Sequence, residues 1–382
     1  MNTVPPRPTM RVLHVVSGDL YAGAERIVEE LALAQHSYLK MQVFAAVLNE
    51  GRLAHNLRQA GVETHVFDEQ TLGAAALLVA LRRCITITRP DVVHTHRFKE
   101  NVLGGLTSVG YAASIRTVHG APEFSRSRTL RDRLVDTLDR FVATRLQRRI
   151  VCVSRELSDR LSANYPRGAL ETIVNGIDGT RVRSAAAASV PALAGEVRVG
   201  VFARLVPVKR IEVAIDVVSR VRQQLGTDVT LHIFGDGPLE SALRAQAAGA
   251  RGITFHGITQ QAPAYMRQMH ALLMTSSHEG LPVAALEAMA LSVPVVATRT
   301  GGLPHLLADG DCGWLVDAND ADGYVRALIE AVSLTQERSM KVAAARERVG
   351  REFGATRMAE DYLRIYAAIA RRHRQATGAG FA

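Results

Sequence analysis

The feature of this chain that most restricts its possible folds is an alternation of short β-branched segments with longer stretches of helical periodicity. A strand pattern at Val12 to Val16 leads into a helix from about Gly23, and a second strand pattern follows at Met41 to Val47. Strands that alternate with helices form parallel sheets, because each helix returns the chain to the edge where the next strand starts. The sequence therefore predicts an α/β protein of doubly wound parallel sheets.

The alternation occurs in both halves of the chain. Further strands of the first half are predicted at Val62 to Phe67, Asp91 to Thr95, Ser114 to Val118, Ile150 to Val153 and Glu171 to Val174. Strands of the second half are predicted at Val197 to Ala203, Val229 to Phe234, Ile253 to His256, Ala271 to Thr275, Pro294 to Ala297 and Trp314 to Val316. The segment from Gly179 to Gly195 is rich in Ala, Ser and Pro and is interpreted as a linker. We therefore expect two Rossmann-like domains, over residues 1–180 and 196–355.

Charge and cysteine content restrict the class of protein. Forty-six Lys and Arg against 37 Asp and Glu leave a formal charge of +9, which favours anionic partners such as nucleotides, nucleic acid or an acidic membrane surface. The longest uncharged stretches, Gln70 to Leu81 and Asn101 to Ile115, are shorter than the roughly 18 apolar residues of a membrane-spanning helix. The three cysteines form no CxxC pair. We expect a cytoplasmic protein without a secretory signal or a transmembrane segment.

Two glutamates follow the strand predicted at Ala271 to Thr275. The stretch SSHEGLPVAALEAM places Glu279 in the loop before a helix and Glu287 inside that helix, since Pro282 suits a first helical turn. Free backbone N–H groups around Gly280, Leu281 and Val283 can bind sugar hydroxyls or phosphate oxygens at the positive end of the helix dipole. A carboxylate such as Glu287 can accept two hydrogen bonds from the diol of a ribose. The alternative for a lone glutamate is a capped helix with a solvated side chain.

Several motifs together resemble glycosyltransferase family 4, the retaining glycosyltransferases of GT-B fold. In the second half these are EGLPVAALEAMA followed by VPVVATRTGGLP, RLVPVK at residues 204–209, and GDGPL at residues 235–239. NGID, AGAERIVEEL, DVVHTH and TVHG also match, so the resemblance covers nearly the whole chain. Arg210 follows Lys209 where the family usually has glycine. The resemblance implies two Rossmann-like domains that face each other across a cleft, with a C-terminal helix of residues 356–382 packed back on the N-terminal domain.

The resemblance also assigns roles to residues of the second half. It implies that Arg204 and Lys209 neutralise the donor diphosphate, which is physically sound because two cations stabilise the charge on a departing nucleoside diphosphate. Glu279 would contact the transferred sugar, Glu287 would hold the ribose, and Ile258 would border the nucleobase. Taken alone, RLVPVK is better interpreted as a solvated basic turn, and its coincidence with the pair of glutamates favours the diphosphate role instead.

Two positions of the first half receive roles in the same way. Gly23 would let the helix backbone approach the phosphate, because a Cβ there would clash. His119, at the end of a predicted strand, would face the donor sugar and act as a catalytic residue together with Glu279, Arg204 and Lys209. A histidine at a strand end is otherwise often a structural residue.

No metal cofactor is predicted. His94 and His96 lie on one face of a strand, but no third ligand stands near them in the sequence. Asp320 and Asp322 form a D-x-D pattern, which binds metal in the other major glycosyltransferase fold. This pattern follows a strand and opens a helix, so a helix N-cap is the better interpretation.

The positive charge is concentrated in one segment. Residues Ser125 to Ile150 contain eight arginines and three aspartates, and apolar residues recur there at helical spacing. Such a basic amphipathic helix could lie on an anionic membrane and bring a lipid-linked acceptor to the enzyme. A helix packed on the core with a solvated arginine face is an equal alternative. Nucleic-acid binding is not expected, since the arginines are not interleaved with aromatic residues.

The resulting hypothesis is a retaining glycosyltransferase that moves a hexose from a nucleotide-diphosphate sugar onto a hydroxyl of a glycan or lipid-linked acceptor. The substitution would occur on the front face of the sugar, with no protein nucleophile. A sugar-nucleotide epimerase of similar fold and a non-catalytic nucleotide-sugar-binding protein are the alternatives.

Overall fold

The computed structural model describes residues 9–120, 130–166 and 168–378, and side chains except those of 130–135 and 377. Its contacts divide the chain into two units. The first unit holds the described residues up to Asn175 together with those from Ala355 onward, and the second runs from Gly176 to Gly354.

The first unit contains a parallel sheet of seven strands. The strands are β1 (Arg11–Ser17), β2 (Gln42–Leu48), β3 (Glu63–Phe67), β4 (Val92–Thr95), β5 (Ala113–Val118), β6 (Arg149–Cys152) and β7 (Leu170–Thr172). Their order is β3-β2-β1-β4-β5-β6-β7, so the strand order reverses between β1 and β4. The helices are α1 (Gly23–Ser37), α2 (Arg52–Gln59), α3 (Ala74–Thr88), α4 (Phe98–Ser108), α5 (Leu130–Phe141) and α6 (Arg155–Ser162), with a π-helical turn at Val142–Leu146.

The second unit repeats this architecture with six parallel strands. They are β8 (Val197–Phe202), β9 (Val229–Phe234), β10 (Ile253–Gly257), β11 (Ala271–Met274), β12 (Val295–Thr298) and β13 (Trp314–Val316), in the order β10-β9-β8-β11-β12-β13. The helices are α7 (Gly179–Ala185), α8 (Ile211–Leu225), α9 (Glu240–Ala247), α10 (Ala262–Met266), α11 (Val283–Ala290), α12 (Leu303–Leu306), α13 (Ala321–Val332) and α14 (Gln336–Glu352). Short 3₁₀ turns occur at Pro207–Lys209 and Ala308–Gly310.

The predicted fold class is confirmed, and every predicted strand is present with ends that differ from the prediction by at most two residues. The central strands are buried on both faces, as parallel sheets covered by helices require. Helix α8 illustrates how the local sequence forms an element. Its buried stripe consists of Ile211, Ala214, Ile215 and Val218, and the helix ends at Gly226, which adopts the left-handed conformation.

The last helix, α15 (Ala355–Thr377), returns to the first unit, as predicted, and packs against α1. Its apolar stripe includes Met358, Tyr362 and Tyr366, which are all buried. The two tyrosines carry their hydroxyls into the first unit, where that of Tyr366 lies 2.6 Å from Nδ1 of His94.

The linker interpretation is wrong for the first part of its segment. Residues Gly179–Ala185 form α7, which belongs to the second unit and contacts α10 and α11. Asp178 caps this helix, since its Oδ1 accepts hydrogen bonds from the N–H groups of Thr180 at 2.9 Å and Arg181 at 3.1 Å. The aspartate N-cap starts this short helix although the segment has no long apolar pattern.

Candidate functional site

Two loops meet at the point where the strand order of the second sheet reverses. The loop after β8 carries Arg204 and Lys209, and the loop after β11 carries Glu279. Lys209 Nζ lies 2.5 Å from Glu279 Oε1, and the Ser276 hydroxyl donates to the same oxygen at 2.6 Å. Doubly wound sheets bind their ligands at such a reversal, so Lys209 and Glu279 meet where a site is expected.

Backbone contacts fix the two loops to each other. The N–H of Ser277 donates to the Val208 carbonyl at 2.8 Å, and the Thr275 hydroxyl donates to the carbonyl of Lys209 at 3.1 Å. Arg210 adopts a left-handed backbone with φ +48°, which explains why glycine suits this position in the family. Its guanidinium donates to the Ala318 carbonyl at 2.7 Å.

Four glycines shape these loops by close backbone approach, a role that the sequence motifs alone did not assign. A Cβ on Gly301 would lie 1.7 Å from the Glu279 carbonyl oxygen, and one on Gly302 would lie 2.4 Å from that of Gly280. On the other loop, a Cβ on Gly235 would lie 2.0 Å from the carbonyl oxygen of Ala203. Gly237 makes a similar contact with Leu205. The glycines of GDGPL and TGGLP therefore let the backbones beneath Arg204 and Glu279 pack closely.

Helix α11 begins directly after this loop. Pro282 occupies the N-cap position rather than the first turn, and Glu287 lies inside the helix, as predicted. Glu287 is buried, so the alternative of a solvated glutamate is wrong. Leu281 and Val283 are also buried, so packing fixes the position of the N-terminus of α11. The first N–H groups at this N-terminus have no acceptor within the helix.

The remaining predicted residues lie on surfaces. Arg204 is exposed, and within the described ranges no carboxylate pairs with it. Ile258 follows β10 with 72% of its surface exposed, an unusual state for a large apolar side chain. Gly23 begins α1 and is exposed, and Gly280 is half-buried.

The first unit contains a cluster of histidines in the middle of β1 and at the carboxyl ends of β4 and β5. His14 Nδ1 lies 2.9 Å from His96 Nε2, and His96 Nδ1 lies 3.3 Å from His119 Nε2. His94 packs beside them and contacts the Thr117 hydroxyl at 2.7 Å through Nε2. The sequence pointed to His94, His96 and His119 but not to His14, whose place in the cluster depends on the pairing of β1 with β4.

Burial keeps these imidazoles neutral. It lowers the pKa of His14 to about 4, and it lowers the pKa of His119 to about 3 with a further contribution from the positive charge of Arg97. Burial, followed by the neighbouring histidines, also lowers the pKa of His94 and of His96 well below the ordinary value. Neutral histidines donate one hydrogen bond and accept one.

His94 and His96 do have a third potential metal ligand beside them, so the expectation from the sequence that none stands near them is wrong. The structure brings ring nitrogens of His14, His94 and His96 within 4.8 Å of one another. Both nitrogens of each ring are already within hydrogen-bonding distance of Gln35, Tyr366, Thr117 or another histidine of the cluster. The donor set is thus organised as a hydrogen-bond network rather than as an open coordination sphere.

Carboxylates that sequence reasoning missed lie near the same strand ends. Glu25 is buried on α1 and pairs with Arg97 at 2.6 Å, while buried Glu100 accepts a short hydrogen bond from the Ser17 hydroxyl. Burial raises the pKa of both carboxyls. The sequence could have indicated these carboxylates through their partners, which stand at strand ends. Ser17 ends β1, and Arg97 follows β4 and directly precedes α4.

The D-x-D pattern serves as a helix cap, as predicted. Asp320 Oδ1 accepts a hydrogen bond from the N–H of Gly323 at 2.7 Å at the start of α13. Asp322 forms an ion pair with Arg220, which lowers the pKa of the Asp322 carboxyl.

The basic segment is described in part, since residues 125–129 and the side chains of 130–135 lie outside the described structure. Asp139 of α5 points inward and pairs with the buried Arg116 at 2.7 Å. Leu138 and Phe141 are 43% and 52% exposed, so in the described part of α5 these two apolar residues do not pack into the core. No helix in the described part of the chain is both long and apolar enough to span a membrane.

Comparisons with known proteins agree with this architecture. Residues 21–181 match the profile of "Glycosyltransferase Family 4", and residues 196–333 match that of "Glycosyl transferases group 1". The lipopolysaccharide core biosynthesis glycosyltransferase LpsE of Rhizobium meliloti is 28% identical over 221 residues, covering 57% of this chain and 64% of LpsE. An uncharacterized glycosyltransferase of Methanocaldococcus jannaschii is 25% identical over 250 residues, covering 64% of this chain and 66% of the relative. The matches thus span just under two thirds of these curated relatives.

Solved structures give the same fold over a larger share of the chain. Anabaena HepE in complex with UDP-glucose superimposes with a TM-score of 0.79 at 19% identity, covering 94% of this chain and all of that one (100%). The lipopolysaccharide outer core galactosyltransferase WaaB superimposes with a TM-score of 0.64 at 16% identity, covering 94% of this chain and 99% of that one.

Proposed function

Because the chain belongs to glycosyltransferase family 4, we propose that it transfers a hexose from a UDP-sugar to a hydroxyl of a glycan or lipid-linked acceptor. The observation that carries the proposal is the Lys209–Glu279 pair, held by Ser276 where the strand order of the second sheet reverses. The UDP-glucose complex of HepE, which shares the fold, supports the choice of UDP. The named roles of LpsE and WaaB in lipopolysaccharide synthesis support a glycan or lipid-linked acceptor.

Two cations are proposed to hold the donor diphosphate. An ammonium carries three hydrogens, so Lys209 can bind a phosphate oxygen while it remains paired with Glu279. Arg204 presents a planar guanidinium that can bind two phosphate oxygens at once. As the bond to the sugar breaks, negative charge grows on the leaving phosphate and both cations stabilise it.

The glutamates are proposed to hold the two sugars of the donor. Glu279 Oε1 accepts from Lys209 and Ser276, which leaves Oε2 to accept a hydrogen bond from a hydroxyl of the transferred hexose. Glu287 accepts from the ribose diol, and the first N–H groups of α11 near Gly280, Leu281 and Val283 bind donor oxygens.

The reaction is proposed to retain the anomeric configuration. The acceptor hydroxyl enters on the face from which the diphosphate leaves, and a leaving phosphate oxygen takes its proton, so no protein nucleophile is needed. His119 donates or accepts a hydrogen bond at the transferred sugar, Gly23 allows the approach of a phosphate, and Ile258 borders the nucleobase.

The protein is further proposed to work in the cytoplasm as a peripheral protein of an anionic membrane. Leu138 and Phe141 expose apolar surface beside the exposed Arg140 and Arg145. Apolar side chains flanked by arginines can insert between lipid headgroups that attract the charge.

The test combines product analysis with two variants. Purified protein is incubated with UDP-hexoses and lipid-linked acceptors, and the anomeric configuration of the product is determined by NMR. Lys209→Ala should lower kcat by ~10²-fold or more, because a charged leaving group loses its cation. Arg251→Ala, at an exposed arginine of the same unit, is the control and should leave kcat unchanged.

Each alternative outcome is distinct. An inverted linkage or an unchanged rate for Lys209→Ala would contradict the mechanism. An altered sugar nucleotide formed without acceptor would indicate an epimerase. Donor binding without transfer or hydrolysis would indicate a binding protein.

A further inference from the structure

A continuous hydrogen-bond chain crosses the first unit from α1 to the end of β5. It starts at Gln35, whose Oε1 lies 2.8 Å from His14 Nε2. It continues from His14 Nδ1 to His96 Nε2 at 2.9 Å and from His96 Nδ1 to His119 Nε2 at 3.3 Å. Gln35, His14 and His96 are buried, whereas His119 is half-buried.

The direction of this chain follows from proton counting. An amide oxygen only accepts, so His14 must carry its hydrogen on Nε2 and leave Nδ1 as an acceptor. Nδ1 of His14 then requires a hydrogen on Nε2 of His96, and Nδ1 of His96 requires a hydrogen on Nε2 of His119. Each ring has one hydrogen to give, because these imidazoles are neutral.

The terminal helix sets the orientation of the starting amide. Gln35 Nε2 donates to the Tyr366 hydroxyl at 3.3 Å, and His94 Nδ1 lies 2.6 Å from the same hydroxyl, to which we assign the donor role in this contact. His94 then donates from Nε2 to the Thr117 hydroxyl at 2.7 Å. Tyr366 thus holds the Gln35 oxygen towards His14.

We propose that Gln35, oriented by Tyr366, is a positioning residue that fixes His119 in the Nε2–H tautomer. His119 then presents Nδ1, which has no partner in the described part of the chain, as an acceptor for a hydroxyl of the transferred sugar. A histidine at the end of a strand would otherwise populate both tautomers and offer a donor in one of them. The inference rests on the proposed function for the identity of the sugar ligand, but the tautomer itself does not.

The tautomer is measured directly. The full-length protein is labelled with ¹⁵N-histidine, and long-range proton–nitrogen spectra at pH 7.5 distinguish Nδ1–H from Nε2–H rings, with His119 assigned by its absence in His119→Asn. The wild-type protein should show the Nε2–H form at His119. Gln35→Met and Tyr366→Phe should both give a mixture. Thr107→Val removes a buried hydroxyl that donates to the Leu103 carbonyl outside this network, and it should keep the wild-type tautomer.

A kinetic test adds a readout that general loss of structure would not produce. With the full UDP-sugar, Gln35→Met should lower kcat by about 5-fold, the loss of one hydrogen bond. With the deoxy-sugar donor that lacks the hydroxyl bound by His119, wild type and Gln35→Met should have equal rates.

The outcomes separate the inference from the proposed function. The proposed role of Gln35 would be overturned if His119 carried its hydrogen on Nδ1 in the wild-type protein. It would also be overturned if neither Gln35→Met nor Tyr366→Phe changed the tautomer of His119. Both results hold whatever group the enzyme transfers. If the tautomer of His119 depends on Gln35 and Tyr366 as proposed but the protein transfers no sugar, only the proposed function would be contradicted. If Gln35→Met lowers kcat by the same factor with every deoxy-sugar donor, the proposal that Nδ1 of His119 binds a sugar hydroxyl would be overturned.

Discussion

Acidification should destabilise the first unit through its buried histidines, and His14 gives the most definite case. The pKa of His14 is 6.5 in an unfolded chain and about 4 in the folded protein because burial opposes the charged form. The unfolded state therefore binds more protons between these pH values. The stabilising contribution of neutral His14 is fully present above pH 6.5 and is lost progressively as the pH falls towards 4.

The size of the effect follows from linkage. Between pH 7.5 and 5.5 the unfolded chain takes up most of one proton at His14 and the folded protein almost none, which costs about 1.3 kcal/mol of unfolding free energy. His119, whose pKa is about 3 in the folded protein, adds a similar amount. Burial acts in the same direction on His94 and His96. His14 and His119 together remove about 2.6 kcal/mol, a substantial part of a typical domain stability.

Neighbouring groups oppose this loss in part. Glu25 and Glu100 have raised pKa values in the folded protein, so they take up protons there at higher pH than in the unfolded chain and stabilise it on acidification. Comparing wild type with His14→Gln removes these contributions, because both proteins contain the carboxylates. Gln keeps one donor and one acceptor at this position but does not titrate.

The assay is urea unfolding at pH 7.5, 6.5 and 5.5. Far-UV circular dichroism follows both units, and fluorescence of Trp314, the single tryptophan of the chain, follows the second unit. Wild type should lose about 1.3 kcal/mol more than His14→Gln between pH 7.5 and 5.5. His55→Gln, at an exposed histidine of the same unit, should keep the wild-type pH dependence. Equal pH dependence of wild type and His14→Gln would refute a neutral, buried His14.

Three further substitutions test the loops, the buried ion pair and the cap. Gly301→Ala places a Cβ 1.7 Å from the carbonyl oxygen of Glu279, so the KM for the donor should rise at least several-fold; an unchanged KM would show that this loop does not shape the donor site. Asp139→Ala leaves Arg116 buried and unpaired, which should cost about 3–5 kcal/mol in urea unfolding, and a loss below about 1 kcal/mol would contradict its burial. Asp320→Ala removes a helix cap, so the free energy of unfolding should fall by about 1 kcal/mol. The rate of sugar transfer in the presence of EDTA should stay unchanged, and its loss would favour metal binding by the D-x-D pattern.

Much of the fold could be predicted because it is encoded locally. The alternation of β-branched and helical segments located all the strands and indicated parallel pairing. The position of Glu279 in a loop and of Glu287 in a helix also followed from neighbouring residues, with Pro282 as the signal. The error at Gly179–Ala185 was also local, since Asp178 caps a short helix that has no apolar stripe.

The order of the strands was not visible in the sequence, and the composition of both sites depends on it. His14 and His94 are neighbours because β1 pairs with β4, which is not the next strand along the chain. Gly301 approaches the carbonyl of Glu279 only when β12 lies beside β11. Such contacts join residues whose local patterns carry no information about each other.

The sequence by itself determined the fold class, the two repeated sheets and the residue types at their strand ends, because periodicity and turn chemistry act over a few residues. The tertiary structure alone decided that Tyr366, 272 residues beyond His94, would complete a hydrogen-bond network around the histidines. The reason is physical: a buried polar group must find a partner in the folded protein, and packing rather than sequence distance determines which partner is within reach.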